Sequence, residues 1–339
     1  MAGRRGRTPA AGSRGGPRKG GARLGGARPL RRLEVRNGDR AIILTPGGYR
    51  ALHAFSRGEA TSASIPQVAT FIDGEGAERG FTSFAATASL QRLVHFAGVT
   101  AGSSVIEVGA GTGQLTFEGG LATAVGRTGL ILATDPSAPW LQVLGRKAAE
   151  AEHRVVHALV APAEELPVAD GQADIALGSK FLHYCADPVA ALGEMRRVAR
   201  PGGTVAVLVA TGGQLGAGWI RVIAPLMAAA AAYAGQAAAR SLALAPGQAA
   251  AAMREAGLED VVVAPLTEPA MCLDYATTMR WLTQLGLIEG YVRSIPDADR
   301  RRELVDAAYR DIAQMFSETE PEERAFVYQF ELVRGRRPA

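Results

Sequence analysis

Residues Ser104–Phe117, with the sequence SVIEVGAGTGQLTF, decide the fold of this protein. The stretch opens with Val105 and Ile106, whose apolar, β-branched side chains are typical of a strand that is buried on both faces. The strand ends in Gly-Ala-Gly-Thr-Gly at positions 109–113, and a helical pattern begins at Gln114. Glycines at a strand-to-helix turn allow a tight bend and let a ligand approach the main chain closely. The stretch therefore predicts an α/β protein with a ligand site at this turn.

The order of the glycines narrows the class of ligand. A dinucleotide fingerprint has the pattern G-x-G-x-x-G/A, and its last small residue would fall on position 114, which Gln114 occupies. A phosphate-binding Walker loop is excluded because no Gly-Lys-Ser/Thr follows. Glu107 places a carboxylate just before the glycines, where it would repel a pyrophosphate but not a cationic ligand. The pattern therefore disfavours a nicotinamide-dependent dehydrogenase.

An acidic residue followed by x-G-x-G-x-G is matched here by Glu107, Gly109, Gly111 and Gly113. On these residues, and on further landmarks between positions 103 and 209, the chain resembles the class I S-adenosylmethionine-dependent methyltransferases. The resemblance is strongest to their small-molecule (type 11) branch, which includes quinone-biosynthesis enzymes. It implies S-adenosyl-L-methionine as the cofactor, bound at the turn by these four residues and Ala110.

The same resemblance implies a Rossmann-like α/β fold. Its doubly wound sheet would have seven mostly parallel strands with an antiparallel last strand. Helical additions would lie at the N-terminus and between strands six and seven.

The second apolar strand, residues 129–135, ends in Asp135. In a doubly wound sheet an acid at this place accepts hydrogen bonds from ribose hydroxyls, and the family uses it in that way. The alternative is a helix N-cap, because Asp135 precedes Pro136, and Asp caps helices while Pro suits the first helical turn. Strand context and spacing favour the ribose. We therefore expect Asp135 and Pro136 to contact the cofactor.

The third predicted strand, residues 154–159, leads to the segment that would hold the adenine ring. In the family this segment commonly carries an Asp that binds the adenine amino group, but Pro162 stands at that position here. We therefore expect the backbone near Ala163, or the side chain of Glu164, to contact the adenine ring in place of that Asp.

The fourth predicted strand, residues 175–177, is followed by a polar segment that contains Ser179 and His183. Carboxyl ends of the strands form the ligand crevice in open α/β sheets, so both residues are expected to line the site, with Ser179 near the cofactor. A neutral imidazole can accept a proton near pH 7, which makes His183 the candidate catalytic base. A structural role is the alternative, as in much of the wider family.

Charge and composition divide the chain. Residues 1–33 carry ten basic and no acidic side chains, which leaves 27 basic against 33 acidic side chains beyond them. This Gly/Arg-rich segment predicts a disordered basic tail. Residues 34–98 are interpreted as a helical extension or lid. Residues 99–339 are interpreted as the methyltransferase domain, with substrate-cap insertions at about 212–256 and 266–324.

Other features limit the partners. Two cysteines are too few for a disulfide framework or a Cys-based metal site, and no metal site is expected. The tail lacks the apolar core of a secretory signal, so a cytoplasmic protein is expected. Residues 222–239 carry no charge, but they are mostly alanine and include a proline, so a packed helix is expected there rather than a membrane span.

Three functions remain open on the sequence. The first is methyl transfer to an oxygen, nitrogen or carbon atom of a small, fairly apolar metabolite. The second is RNA methylation, with residues 1–32 as an electrostatic arm that binds phosphates. The third is a non-catalytic module that binds the cofactor as a regulator. Neither the acceptor nor the oligomeric state is predicted.

Overall fold

The structure is a computed structural model. It describes residues 33–61, 87–215, 217–234, 244–270, 295–324 and 326–339, together with positions 274–276, 278, 279, 282, 288 and 292.

The described chain opens with a two-stranded antiparallel hairpin, β1 (Glu34–Asn37) and β2 (Arg40–Ile43). Gly38 has a φ of +54° in the turn that joins them, a conformation that glycine adopts without steric cost. The Asn37 side-chain amide donates hydrogen bonds to the carbonyl oxygens of Arg127 (2.8 Å) and Gly129 (2.7 Å). The hairpin is thereby fastened to the loop that precedes the second strand of the main sheet.

The main sheet has seven strands: β3 (Ser104–Val108), β4 (Leu130–Asp135), β5 (Val156–Val160), β6 (Ala173–Ser179), β7 (Ala199–Leu215), β8 (Glu259–Ala270) and β9 (Phe326–Arg336). Their order is β5-β4-β3-β6-β7-β9-β8. Strands β3 to β7 pair in parallel, and β9 lies antiparallel between β7 and β8. The chain therefore winds outward in both directions from β3 and β6, which confirms the predicted fold class. A ligand crevice is expected at the carboxyl ends of these two strands.

The named helices of the described residues are α1 (Pro46–Ser56), α2 (Thr87–Phe96), α3 (Leu121–Val125), α4 (Ala138–Glu150), α5 (Pro188–Val198), α6 (Ala217–Ala234), α7 (Gln248–Glu255) and α8 (Ala298–Glu318). Two apolar cores cover the two faces of the sheet. The first joins α2, α3 and α4 to alternate residues of the strands, including Val105, Ile131 and Leu177. The second joins α5 and α7 to the intervening residues, including Ile106 and Leu132. Strand residues alternate between faces, so burial on both sides requires the continuous apolar runs found in the sequence.

A third apolar core joins α6 and α8 and lies apart from the first two; we call it the cap core. Its largest side chain, Trp219, is fully buried and donates a hydrogen bond of 2.7 Å from Nε1 to the carbonyl oxygen of Arg324. Tyr328 on β9 packs against both the cap core and the core of α2, α3 and α4. This tyrosine therefore marks the place where cap and sheet meet.

Several predicted elements differ in detail. The helix expected from Gln114 begins only at Leu121. The chain makes a turn from Gly113 to Phe117, but Gly119 and Gly120, whose φ is +76°, then prevent this turn from continuing as a helix. Strand β1 was not predicted, since Val35 is its only apolar residue. Residues 62–86 of the expected helical extension and parts of the expected substrate-cap insertions lie outside the described residues.

The uncharged segment of residues 222–239 falls largely on α6, which contains Pro225. Within the described residues, no helix combines the length and the apolar run that a bilayer crossing would require.

Candidate cofactor site

The glycine turn after β3 forms the floor of the candidate site. Gly109, Gly111 and Gly113 have φ values of +69°, +55° and +89°, so all three adopt the left-handed conformation that side chains rarely allow. A Cβ on Gly109 would lie 2.3 Å from Cβ of Phe181, and one on Gly113 would lie 2.6 Å from the ring of Phe117. A Cβ on Gly111 would meet only a ring atom of Trp140, at 3.6 Å. Gly111 is thus the glycine at which a ligand has room to approach the main chain.

Asp135, at the end of β4, is bound to this turn. Its Oδ2 accepts a hydrogen bond of 2.9 Å from the Gly111 N–H, and its Oδ1 accepts one of 2.8 Å from the Ser137 N–H. Helix α4 is capped by Ser137, whose Oγ accepts from the Trp140 N–H, so the N-cap interpretation of Asp135 is wrong. An ionised carboxylate offers about four acceptor sites. Asp135 therefore keeps acceptor capacity for a further donor such as a ribose hydroxyl.

Glu107, on β3, is buried directly before the glycines, with 1% of its surface exposed. Its Oε2 accepts a hydrogen bond of 2.6 Å from the Thr116 hydroxyl. Its Oε1 is buried and has no hydrogen-bond partner in the part of the chain that the structure describes. A buried, unsatisfied carboxyl oxygen is costly unless it is protonated or finds a donor or cation. Glu107 is therefore prepared for a partner that the described residues do not supply.

The two acids of the site are harder to ionise than ordinary carboxyl groups. Burial raises the pKa of Glu107, the hydrogen bond from Thr116 opposes this, and the neighbouring charge of Asp135 adds to it, which gives a pKa of about 8. Burial also raises the pKa of Asp135 to about 6, while the hydrogen bonds from Ser137 and Gly111 favour its charged form. Because burial penalises the charge in both cases, a positively charged ligand nearby would lower both pKa values.

The remaining predicted cofactor contacts lie around the same edge of the sheet. Ala110 is buried, and its N–H donates to the Thr134 carbonyl oxygen at 3.0 Å. Ala163 is buried after β5. Glu164 Oε1 accepts a hydrogen bond of 2.8 Å from the Ala186 N–H, so its side chain connects the loop after β5 to the loop after β6. Pro136 is partly buried between Asp135 and α4.

Ser179 and His183 follow β6, and both carry a buried polar atom, Ser179 Oγ and His183 Nδ1, that has no hydrogen-bond partner among the described residues. The His183 ring lies against Tyr184, with 4.1 Å between ring centroids. Burial and the nearby charge of Lys180 lower the pKa of His183 to about 4. The imidazole is therefore neutral at physiological pH, which is the form that a proton acceptor requires.

Three neighbours of the site were assigned no individual role from the sequence, although Lys180 and Phe181 lie in the segment expected to line it. Phe181 packs over the backbone of Gly109 and of Gly178, where added Cβ atoms would collide with it. Trp140 lies beside Gly111, and Lys180 stands next to Phe181 with a left-handed φ of +56°. Lys180 and Phe181 both stand inside the segment expected to line the crevice, whereas no sequence pattern pointed to Trp140. Among the described residues, no three His, Cys, Asp or Glu side chains lie together as a metal site would require.

Comparison with known proteins agrees with this arrangement. Residues 106–207 match the family model described as a methyltransferase domain. An uncharacterised 37.1 kDa protein of a Streptomyces fradiae transposon is 30% identical over 185 residues, which cover 51% of this chain and 50% of that protein. The ubiquinone/menaquinone biosynthesis C-methyltransferase UbiE of Burkholderia mallei is 39% identical over 112 residues, or 33% of this chain and 45% of that enzyme. The chain thus spans about half the length of the curated relatives it matches.

Among solved structures, phosphoethanolamine N-methyltransferase 2 of Haemonchus contortus is similar, with a TM-score of 0.49 and 11% identity over 90% of this chain and 71% of that one. Since this TM-score lies below 0.5, the assignment depends on the sequence matches and on the features described above. The matched segment contains the glycine turn, Asp135 and the loop after β6. The match over residues 106–207 and the glycine motif support a class I S-adenosylmethionine-dependent methyltransferase of the type 11 branch.

Proposed function

We propose that this protein transfers a methyl group from S-adenosyl-L-methionine to a small, fairly apolar metabolite. One observation carries the proposal. Asp135 is hydrogen-bonded to the Gly111 N–H beside a Glu107 carboxyl oxygen that has no partner among the described residues. A cofactor with ribose hydroxyls and positive charge would satisfy both acids. The residues present therefore fit this cofactor.

The proposed contacts follow from the chemistry of each residue. The free acceptor sites of Asp135 would bind the ribose hydroxyls, with Pro136 beside them. The backbone of Gly109, Ala110, Gly111 and Gly113 would form the floor against which the cofactor lies. Glu107 would face its positively charged part. Ala163 and Glu164 would border the adenine, and Ser179 would contact the cofactor from the loop after β6.

Bound S-adenosylmethionine supplies a methyl group on a positively charged sulfur, which is already a good leaving group. The protein then has to orient the acceptor and exclude water. Phe181 covers the Gly109 end of the turn, and the cap core supplies apolar surface near Tyr328. If the acceptor atom carries a proton, the neutral His183 is the group in this region that would accept it.

Calorimetric titration of the full chain with S-adenosylmethionine, S-adenosylhomocysteine and NAD tests the cofactor. We expect binding of the first two and none of NAD. Asp135→Ala, which removes the carboxylate, and Gly111→Trp, which fills the approach to the main chain, should each weaken binding by about tenfold or more. Absence of S-adenosylmethionine binding by the wild-type chain would overturn the proposal.

A screen for S-adenosylhomocysteine formation tests the acceptor. Turnover with small apolar phenols, amines or acids would support the proposal. Turnover only with RNA, lost at high salt and on deletion of residues 1–32, would favour the RNA-modifying function. Tight cofactor binding without turnover on any acceptor would favour a non-catalytic regulatory module.

A further inference from the structure

A group of polar side chains lies beside the cofactor site, where β6 ends. We call it the Lys180 cluster, and it consists of Ser179, Lys180, His183 and Glu268. Ser179 Oγ, His183 Nδ1 and Glu268 Oε2 are buried, and none has a hydrogen-bond partner among the residues that the structure describes. Roughly 90% or more of buried polar groups in proteins are hydrogen-bonded. Ser179 and His183 lie in the segment that carries Lys180, and the Glu268 carboxylate acts on the charge of the lysine, so the three unsatisfied atoms point to a ligand that completes them.

Lys180 is one of few lysines in this chain, and its backbone conformation is rare for a residue with a side chain. The sequence contains 37 basic side chains, of which only Lys19, Lys147 and Lys180 are lysines. Lys180 has a φ of +56°, and its N–H donates a hydrogen bond of 2.8 Å to the Leu208 carbonyl oxygen on β7. A left-handed conformation costs energy for a residue with a side chain, and such residues cluster at ligand sites. The hydrogen bond to Leu208 fixes the backbone of Lys180 to β7, directly after the carboxyl end of β6.

Two opposing influences act on the charge of Lys180. Burial lowers the pKa of Lys180, and the Glu268 carboxylate opposes this by favouring the charged form. Glu268 Oε2 is buried and has no hydrogen-bond partner among the described residues. His183 is neutral at physiological pH and does not compete as a cation. An ammonium has three donors, which an oxyanion can accept.

The cluster also has an apolar side. In the pairing of β8 with β9, Glu268 lies opposite Tyr328. Tyr328 stacks on Phe330, with 5.7 Å between ring centroids and 25° between ring planes. Because strand residues alternate between faces, Glu268 shares the face of the sheet that carries Leu266. A ligand at the cluster would therefore meet aromatic surface as well as charge.

We infer that Lys180 binds an oxyanion on a flat, apolar methyl acceptor, with Ser179 Oγ and His183 Nδ1 as its hydrogen-bond partners. The Glu268 carboxylate favours the charged form of the lysine. This inference depends on the proposed function and narrows its acceptor to phenol-like or carboxylate-bearing molecules.

Three probes of similar shape test the inference on the full chain: 4-nitrophenol, 4-nitrobenzoate and the uncharged 4-nitroaniline. Calorimetry is done with S-adenosylhomocysteine present, at a pH at which 4-nitrophenol is ionised. We expect at least one anionic probe to bind about tenfold or more tightly than 4-nitroaniline, which corresponds to about 1.4 kcal/mol. Preference for nitrophenol or for nitrobenzoate distinguishes a phenolate from a carboxylate.

Variants assign the preference to its residues. Lys180→Met should abolish it, Lys180→Arg should keep part of it, and Glu268→Gln should weaken it several-fold, because the lysine loses the carboxylate that favours its charged form. Lys147→Met is the matched control, because Lys147 pairs with Glu118 at 3.2 Å. This variant should leave the anion preference unchanged. The Glu268 variant retains the lysine and its backbone, so it tests the inference even if Lys180→Met folds poorly.

Two results would overturn the inference: wild-type binding of the three probes that is equal or absent, or an anion preference that survives Lys180→Met. If S-adenosylmethionine binds while the anion preference is absent, only this inference fails. If the anion preference is present while S-adenosylmethionine does not bind, the proposed function fails instead.

Discussion

The Gly111 N–H donates a hydrogen bond of 2.9 Å to Asp135 Oδ2, which joins the turn after β3 to the end of β4. Two residues that are 24 positions apart thus form one unit at the centre of the sheet, because their strands are paired neighbours. The Asp135 carboxylate positions the glycine turn, and the Gly111 N–H holds this carboxylate in place for a further ligand.

Replacing this acid should affect cofactor binding more than folding. Asp135→Asn can accept one of the two amide hydrogen bonds, but its NH₂ group must then face the other donor. We expect the affinity for S-adenosylmethionine to fall about tenfold to a hundredfold, as measured by calorimetry. Asp174→Asn is the control, because Asp174 accepts a hydrogen bond from the Ser104 N–H at the opposite end of β3. This substitution should reduce the stability of the fold and leave the affinity for S-adenosylmethionine unchanged. Equal losses of affinity in both variants would contradict this prediction.

Glu107 should make the stability of the ligand-free protein depend on pH. Its pKa of about 8 in the folded state lies above the ordinary value of 4.5, so the folded chain binds more protons between these two pH values. Stability should therefore fall as pH rises from about 5 to about 8, by at most about 1.4 kcal/mol per pH unit, and level off above.

Glu107→Gln should remove most of this fall, because the amide stays uncharged and can still accept from Thr116. Urea unfolding at several pH values measures the effect. The exposed Glu303→Gln, which loses only a surface pair with Arg300, is the control and should retain the wild-type profile. An unchanged slope in Glu107→Gln would show that another group is responsible.

Gly109 should tolerate no side chain. In Gly109→Ala the new Cβ would fall 2.3 Å from Cβ of Phe181, in addition to the cost of a φ of +69°. Gly120→Ala has a similar φ of +76° but no atom within 4 Å of the new Cβ, so it measures the backbone cost alone, about 1 kcal/mol. Thermal unfolding should show a larger loss for Gly109→Ala, and cofactor binding should be lost in that variant only. Similar losses in the two variants would mean that Phe181 moves aside without cost.

Trp219 should contribute strongly to the cap core. Trp219→Phe leaves a cavity and deprives the buried Arg324 carbonyl oxygen of its donor, for an expected cost of about 2–4 kcal/mol in urea unfolding. Ile220→Ala, at the next residue, is the control, since Ile220 is 53% exposed and its loss should cost little. A cost for Trp219→Phe that is no larger than the control's would contradict the packing described here.

Much of the fold could be predicted from local pattern. Apolar runs that end in Glu107 and the glycines, or in Asp135, predict parallel strands and their order along the chain, because burial on both faces leaves no polar alternation. The helix from Gln114 was placed too early, since Gly119 and Gly120 interrupt it. Strand β1 has a single apolar residue and pairs only because β2 is beside it.

The sequence by itself determined the fold class, the glycine turn and the acids beside it, because these depend on residues that are close along the chain. Tertiary structure alone decided that Asp135 binds the Gly111 amide, that Phe181 covers Gly109, and that Glu268 acts on Lys180. The members of these three pairs are 24, 72 and 88 positions apart in the sequence. No local periodicity records such pairs, since they arise only when the sheet brings distant strand ends to one edge.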